Sequence, residues 1–573
     1  MAENLTVTTE RVDDIPVLIA QAERMGLAEL VDEHFVSHGN WLGTSLGMTI
    51  AVWLDHILSE GDHRLNQVQG WVSHREETLS IAIGHPVRSL EWSDDRLGIA
   101  LDVLSDDQRW QQFEAGLNRR LVRVYSLAPK QVRLDSTTTS GYWTVTEDGM
   151  FQFGHSKDHR PDLPQLKVMV STLDPMGMPL AVQVVSGERA DDRLYIPAIQ
   201  RVGQGLDEHG LLYVGGCKMG ALEPRGFIQA QGDCYLCPLA KVQMPDEELE
   251  QLLKPVWAGE QPVTAVYRSK EDGQQEQIAE GYEVTVPLTA EIDGKPVVWH
   301  ERRLVIRSLQ QAQATEAALR TRLARAETQV AALNERKQGK KRFTNEEEVR
   351  QAAEAILRER RVAGLMTLTI EEQVRERPVR AYGGHPAEVR VERDWQVQAK
   401  VDPQAVAGAI RWFGWRVYAT NASVEMLPLE KAVLAYREEY VIERSFGRLK
   451  GKPLSVTPMY LQSDKRATGL IRLVSLGLRL LALLEFSVRQ ELAERDEKLA
   501  GLYAGNPKRS TSHPTAEALL KAFDNITLSV VSLGEKTHRH VTPLSGLQTK
   551  ILAMLGFSSG IYDRLCAQAP NTS

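Results

Sequence analysis

Cysteine is nearly absent from this sequence, with four in 573 residues. So few thiols cannot build a disulfide framework, and the polar start MAENLTVTTE has no apolar signal-peptide core, so a reducing cytoplasm is the expected compartment. Long hydrophobic runs are scarce as well. Gly469 to Val488 is the one membrane candidate, and Arg472, Arg479 and Glu485 interrupt it at depths where each charge would cost a few kcal/mol. It reads as a buried core helix, and no membrane partner is expected. An excess of positive charge is also missing: 68 Lys and Arg stand against 76 Asp and Glu, a net charge of −8. That excludes a uniformly basic nucleic-acid coat, so contact with DNA would have to come from local basic patches on an acidic remainder.

What is present is an ordinary soluble composition, 42% apolar and 25% charged, over a length that exceeds one hydrophobic core. Residues 1–128 read as a helical N-terminal region, with helix-period apolar residues in Ile15 to Met25, Leu46 to Ser59 and Arg96 to Leu127. Arg109, Arg119, Arg120 and Arg123 give the last segment either a surface for DNA phosphates or a solvated face. At Gln131 the period changes. Strands are expected at Gln131 to Asp135, Leu166 to Thr172 and Leu180 to Ser186, then a helix from Asp192 to Leu206, then a strand from Leu211 to Gly215. An antiparallel meander followed by a crossover to a parallel strand describes the first half of a ribonuclease-H-like fold, over residues 129–240. Its first strand is central and ends in Asp135.

Residues 241–410 depart from that pattern. Val263 to Arg268 and Tyr282 to Arg307 alternate like strands, with Asp293-Gly294 as a hairpin turn. Leu309, Ala312, Glu316, Leu319, Leu323, Ala326, Val330 and Leu333 then step by threes and fours as a helical seam. A basic turn, Arg336 to Arg342, and a capping box, Thr344-x-x-Glu347, start a partner helix. Strands return at Leu365 to Val374 and Trp395 to Val401. The core resumes over 411–500 with a fifth strand, Trp415 to Thr420, and ends in a helix from Thr468 to Leu492. Residues 501–573 form a small C-terminal region. The expected fold class is therefore α/β: a ribonuclease-H-like core, interrupted by a β-rich insertion with a helical hairpin and preceded by a helical domain.

The stretch Tyr436 to Lys452, YREEYVIERSFGRLKGK, carries the densest chemistry. As one helix, it would place Tyr436, Glu439, Glu443 and Lys450 on one arc along about 21 Å of axis. Ile442, Phe446 and Leu449 form a separate apolar stripe that would dock it. Arg444, Arg448, Lys450 and Lys452 put positive charge beside the carboxylates, as holding a polyanion requires. By itself this is also the pattern of a solvated helix with i, i+4 charge pairs.

Taken with the strand-end Asp135, these residues resemble the DDE transposases of bacterial insertion sequences, in the branch (the insertion-sequence-four superfamily) with a Y-x2-R-x3-E-x6-K signature and a β-rich insertion. Here the signature is Tyr436-x2-Glu439-x3-Glu443-x6-Lys450, with Glu at the Arg position. Gly154-His-Ser-Lys-Asp-His-Arg-Pro-Asp-Leu-Pro164 and Lys218-Met-Gly-Ala-Leu222 resemble one subgroup of that branch. The resemblance implies that Asp135 is the first catalytic acid and Glu443 the third, both of them ligands to two Mg²⁺ or Mn²⁺ ions. It also implies that Tyr436 and Lys450 contact phosphates, with Arg444, Arg448 and Lys452 expected at DNA from their charge, that residues 1–128 bind DNA ends, and that two copies act together on double-stranded DNA, the transposon ends and the target. The second acid of the family falls on Gly216, which has no side chain to ligate anything. Asp207, Glu223 and Asp233 are the nearby acids, with Asp233 the candidate to fill the gap.

Other chemistries are weaker. Cys234-x2-Cys237 with Cys217 suggests zinc but lacks a second ligand pair, so buried strand cysteines are expected. Ser136 to Thr139 with His155 lacks a nucleophile-elbow sequence. Trp257 or Trp299 would either stack on an unpaired base or pack in a core. Three functions remain open: a transposase that cuts and joins DNA, an inactive relative that binds ends, and a nuclease with no transfer activity.

Overall fold

The alternating segments after Gln131 do form a mixed sheet. The computed structural model describes residues 5–36, 41–270, 273–335, 343, 345–380, 386, 388–534 and 536–566. The chain divides into two units. One comprises Met1–Cys237, Pro287–Trp299 and Ala435–Ser573, and the other Pro238–Val286 and His300–Leu434. The N-terminal region, both flanks of the insertion and the C-terminal region therefore belong largely to one body rather than to separate domains.

In the first unit a strand β1 (Leu5–Arg11) pairs antiparallel with Thr527–Leu533, which pairs with Lys536–Val541. This strand was not expected in a region that reads as helical. The central sheet comprises β2 (Gln131–Ser140), β3 (Gln165–Leu173), β4 (Met178–Ser186), β5 (Leu212–Gly215) and β6 (Cys234–Pro238), in the order β4-β3-β2-β5-β6. The first three are antiparallel neighbours, whereas β2, β5 and β6 run parallel. The expected fifth strand is thus preceded by β6: Cys237 is buried and Cys234 half-buried within it. Helix Tyr195–Leu206 makes the crossover between β4 and β5.

Helix Asp464–Glu494 is long and apolar enough to cross a membrane, and 94% of its most apolar window is buried inside the protein. Its charges are paired there. Arg472 bonds Asp107 and donates to Leu104 O at 2.9 Å, Arg479 reaches Glu114 at 2.5 Å, and Glu485 receives three arginines. The expected helix from Arg96 to Leu127 is two helices, Asp94–Leu104 and Asp107–Val124, because Asp106 caps the second by accepting from Arg109 N at 3.0 Å.

Helix Ile15–Met25 follows its expected bounds, with Pro16 in its first turn and Gly26 at φ 66° closing it. Asp14, at its start, is buried and accepts from Ser59 Oγ at 2.7 Å. Burial pushes the Asp14 carboxyl up from 3.8 to about 7. Because the folded value lies above the unfolded one, the native state holds the extra proton between them, and stability falls as pH rises through that window. Asp14→Asn should therefore gain stability relative to the parent from pH 4 to pH 7, with the difference constant above. Thermal melts of both proteins across that range check it, and parallel curves would contradict the assignment.

In the second unit, Leu309–Ala331 and Glu346–Glu359 are helices, and Met366–Val379 pairs antiparallel with Glu388–Val401. Leu319, Leu323, Ala326 and Val330 of the seam pack with Val349, Ala353 and Leu357 of the second helix and with Val397 and Ala399 of the hairpin. Asn345 is the cap of the second helix, accepting from Glu348 N at 2.9 Å. The basic turn and Thr344 lie outside the described residues. Trp415–Thr420 pairs antiparallel with Arg302–Arg307 in this same unit.

Candidate functional site

The parallel pairing of β2 and β5 runs from Gln131 opposite Leu212 to Leu134 opposite Gly215. One step further, Asp135 comes level with Gly216, just past the end of β5; β2 itself runs on to Ser140, paired with β3, so the acid expected to end its strand lies in the middle of it. A Cβ built on Gly216 would meet only the Tyr195 hydroxyl, at 3.6 Å, and the backbone there is not left-handed. The position has room for a side chain and has none.

Asp135 is not free. Its Oδ1 accepts from Lys157 Nζ at 3.1 Å and from Ser136 N at 2.8 Å. Lys157 also donates to Ser136 O at 2.5 Å and lies 3.8 Å from Asp191, whose other oxygen accepts from Lys167 at 2.6 Å. Burial opposes the charge on Asp191, but the Lys167 hydrogen bond and the Lys157 and Lys167 ammonium groups hold it below its ordinary value. Tyr195, first in its helix, is buried against both carboxylates. Burial and then the charges of Asp135 and Asp191 push its hydroxyl well up, so it stays protonated.

The loop Gly154 to Pro164 joins this cluster to the signature helix. Lys157 N donates to Thr138 Oγ1 at 3.0 Å, and the next residue, Asp158, is ion-paired with Lys450. Adjacent residues of one loop thus engage Asp135 of β2 and the helix end. The sequence displays both as a Lys-Asp pair within the Gly154 to Pro164 motif, without revealing their partners; Asp191 and Tyr195 carry no signal.

The signature stretch is two helices, Leu429–Arg437 and Tyr440–Lys450, with a turn at Glu438 and Glu439. Tyr436 therefore does not share a continuous arc with Glu443. The second helix packs on β2 and on the turn after β3, with Val441, Ile442 and Leu449 buried and Ser445 Oγ donating to Gly177 O at 3.2 Å. Phe446 is half-buried, and Glu443 faces solvent. Arg448, expected at DNA, is buried: its Nε donates to Glu517 at 2.6 Å and it also bonds Glu485. Arg444 is likewise paired with Glu485. Lys452 is exposed.

Asp233 is buried and accepts from Leu211 N at 3.0 Å, at the amino end of β5. Gly216 lies past the other end, and each strand residue adds about 3.3 Å, so Asp233 cannot fill the gap. Among the described residues no group of three or more His, Cys, Asp or Glu could hold a metal ion. The residues present therefore do not fit a pair of divalent cations: an ammonium sits on Asp135, Gly216 offers no ligand, and Glu443 faces water. Zinc at Cys217, Cys234 and Cys237 has no support for the same reason. Ser136 to Thr139 are buried strand residues and His155 is exposed. Trp299 is buried with Nε1 donating to Tyr235 at 2.9 Å, and Trp257 packs on Trp412 at 5.0 Å under Arg411.

No family model matches the chain, and no curated protein matches it by sequence. A piggyBac transposase in a synaptic complex with hairpin DNA is similar to it in structure, with a TM-score of 0.32 and 6% identity over 99% of this chain and 88% of that one. At that TM-score the likeness decides neither fold nor activity. The insertion-sequence resemblance rests on the motifs.

Proposed function

We propose that this chain is a transposase-type protein on a ribonuclease-H-like core, one that binds DNA ends but, as its sequence stands, cuts them poorly or not at all. The register that sets Gly216 beside Asp135 carries the proposal, since the vacant position falls where the second acid of the resembled family belongs. The strand order β4-β3-β2-β5-β6, with the Asp135 strand central, supports the core assignment. In this reading a homodimer in the cytoplasm holds two ends of an insertion sequence, and a restored site would use Mg²⁺ or Mn²⁺.

The exposed Lys452 is the cation of the signature stretch best placed for phosphates, since Lys450 is ion-paired with Asp158. Lys452→Ala should weaken binding to an end-containing duplex and reduce the log-log salt slope by about one unit, the share of a single phosphate contact. Arg448→Ala should instead lower thermal stability and leave the slope as it was, because its charge is spent on Glu485 and Glu517. Anisotropy titrations at several salt concentrations separate the two. An unchanged slope for Lys452→Ala would remove this helix from the DNA surface.

A further inference from the structure

At the end of β5 opposite to Gly216, the first unit holds a cleft of about 500 Å³, within the size range of ligand sites. Three elements close it. Helix Tyr195–Leu206 ends there in Asp207, helix Leu222–Ala230 ends there at Gln231, and the turn between Gln275–Ile292 and Lys295–Ser308 brings in Asp293. The turn comes close because Gly226 has no side chain: a Cβ on it would lie 2.9 Å from Ala290 Cβ. The lining is acidic. It carries Asp207, Glu208, Asp233 and Asp293, with His209 and no lysine or arginine; Arg119, nearby, donates to the Gln204 carbonyl at 3.1 Å. Both helices point their carboxyl ends, the negative poles of their dipoles, into this space. Acids just past a helix C-terminus oppose that dipole, and stability alone would favour lysine or arginine at Asp207 and Glu208. The inner wall includes Tyr213 of β5, which is fully buried with its hydroxyl lacking a hydrogen-bond partner among the described residues. Burial and the Asp233 charge push that hydroxyl up, so it stays protonated. An orphaned buried hydroxyl costs stability unless a bound molecule supplies the missing partner.

We propose that this cleft binds an aliphatic polyamine, its ammonium groups set against the four carboxylates and one of them donating to the Tyr213 hydroxyl. A single metal ion does not fit, because among the described residues no group of three or more His, Cys, Asp or Glu could hold one. The acids stand apart around the cleft, so the complementary cation is one whose charges are spread along a chain. The methylenes between those charges would lie against Ile199 and Phe227. The inference is independent of the DNA-end reading, since none of these residues belongs to the site at Asp135 and Gly216.

The test is calorimetric titration of the full chain with spermidine at near-physiological salt. The parent should bind a single equivalent, and Mg²⁺ at matched ionic strength should not displace it. Tyr213→Phe keeps the buried ring and should lose about ten-fold in affinity, the share of a hydrogen bond to a charged group, with no loss of thermal stability. Asp293→Asn, at φ 50° in an exposed turn where asparagine is tolerated, should lose about three-fold. Glu327→Gln, an exposed acid of helix Leu309–Ala331 in the second unit, should change nothing. Absence of binding by the parent, or full affinity in Tyr213→Phe, would overturn the proposal. Displacement by Mg²⁺, or the same loss in Glu327→Gln as in Asp293→Asn, would overturn it too, by reducing the effect to diffuse attraction toward a chain of net charge −8.

Discussion

On the reading proposed above, Gly216→Asp should raise Mg²⁺- or Mn²⁺-dependent cleavage of an end-containing duplex on the order of 10²-fold or more. The substitution is sterically free: a Cβ at this position meets only the Tyr195 hydroxyl, at 3.6 Å, with no positive φ to strain it. It would set a second carboxylate beside Asp135, just past the end of β5. The added negative charge competes for Lys157, which now rests on Asp135 at 3.1 Å. Catalysis of phosphodiester chemistry depends on fixed charge and position, and a misplaced centre is worth about 10²-fold in rate. Mn²⁺ binding by calorimetry should strengthen in the variant alongside cleavage of an end-containing duplex. Robust cleavage by the parent, with no gain from Gly216→Asp, would show that the site is assembled from other residues.

Glu485→Ala should be the most damaging single change to the fold. Glu485 is 2% exposed and sits in the last third of the core helix. One of its oxygens accepts from Arg444, Arg448 and Ala516 N, and the other is ion-paired with Arg489 at 3.1 Å. Burial works against the Arg448 charge, and Glu517 and Glu485 together outweigh it. Removing Glu485 leaves a cluster of partly desolvated cations with only Glu517 to answer them, and breaking a buried pair from one side typically costs about 3–5 kcal/mol. The loss should appear in denaturant unfolding. Binding to DNA ends should fall with it, because the same contacts hold helix Tyr440–Lys450 against the core. Arg489→Ala, at the more accessible edge of the cluster, should cost about 1 kcal/mol or less. A loss that small for Glu485→Ala would mean that water reaches the cluster.

The sequence by itself determined the elements whose partners are local or periodic. Helix Ile15–Met25 was legible because a proline opens it and a glycine closes it. The helical seam from Ala312 to Val330 was legible because every buried position falls on the expected step. The order of β2 to β5 followed from the period of the strands and one crossover, whereas the significance of Gly216 came only from the resemblance. Tertiary structure decided what each charged or isolated segment meets. β1 pairs with Thr527–Leu533 from the far end of the chain, a partner that no local pattern encodes. Arg448 looked like a phosphate ligand and is a buried counter-ion. Lys157 lies on the Asp135 carboxylate, a contact its motif does not encode. Periodicity reports which face of an element is buried, because burial repeats with the backbone. It says nothing about whether water, a phosphate or a carboxylate 37 residues away neutralises a guanidinium, because that depends on how distant segments pack.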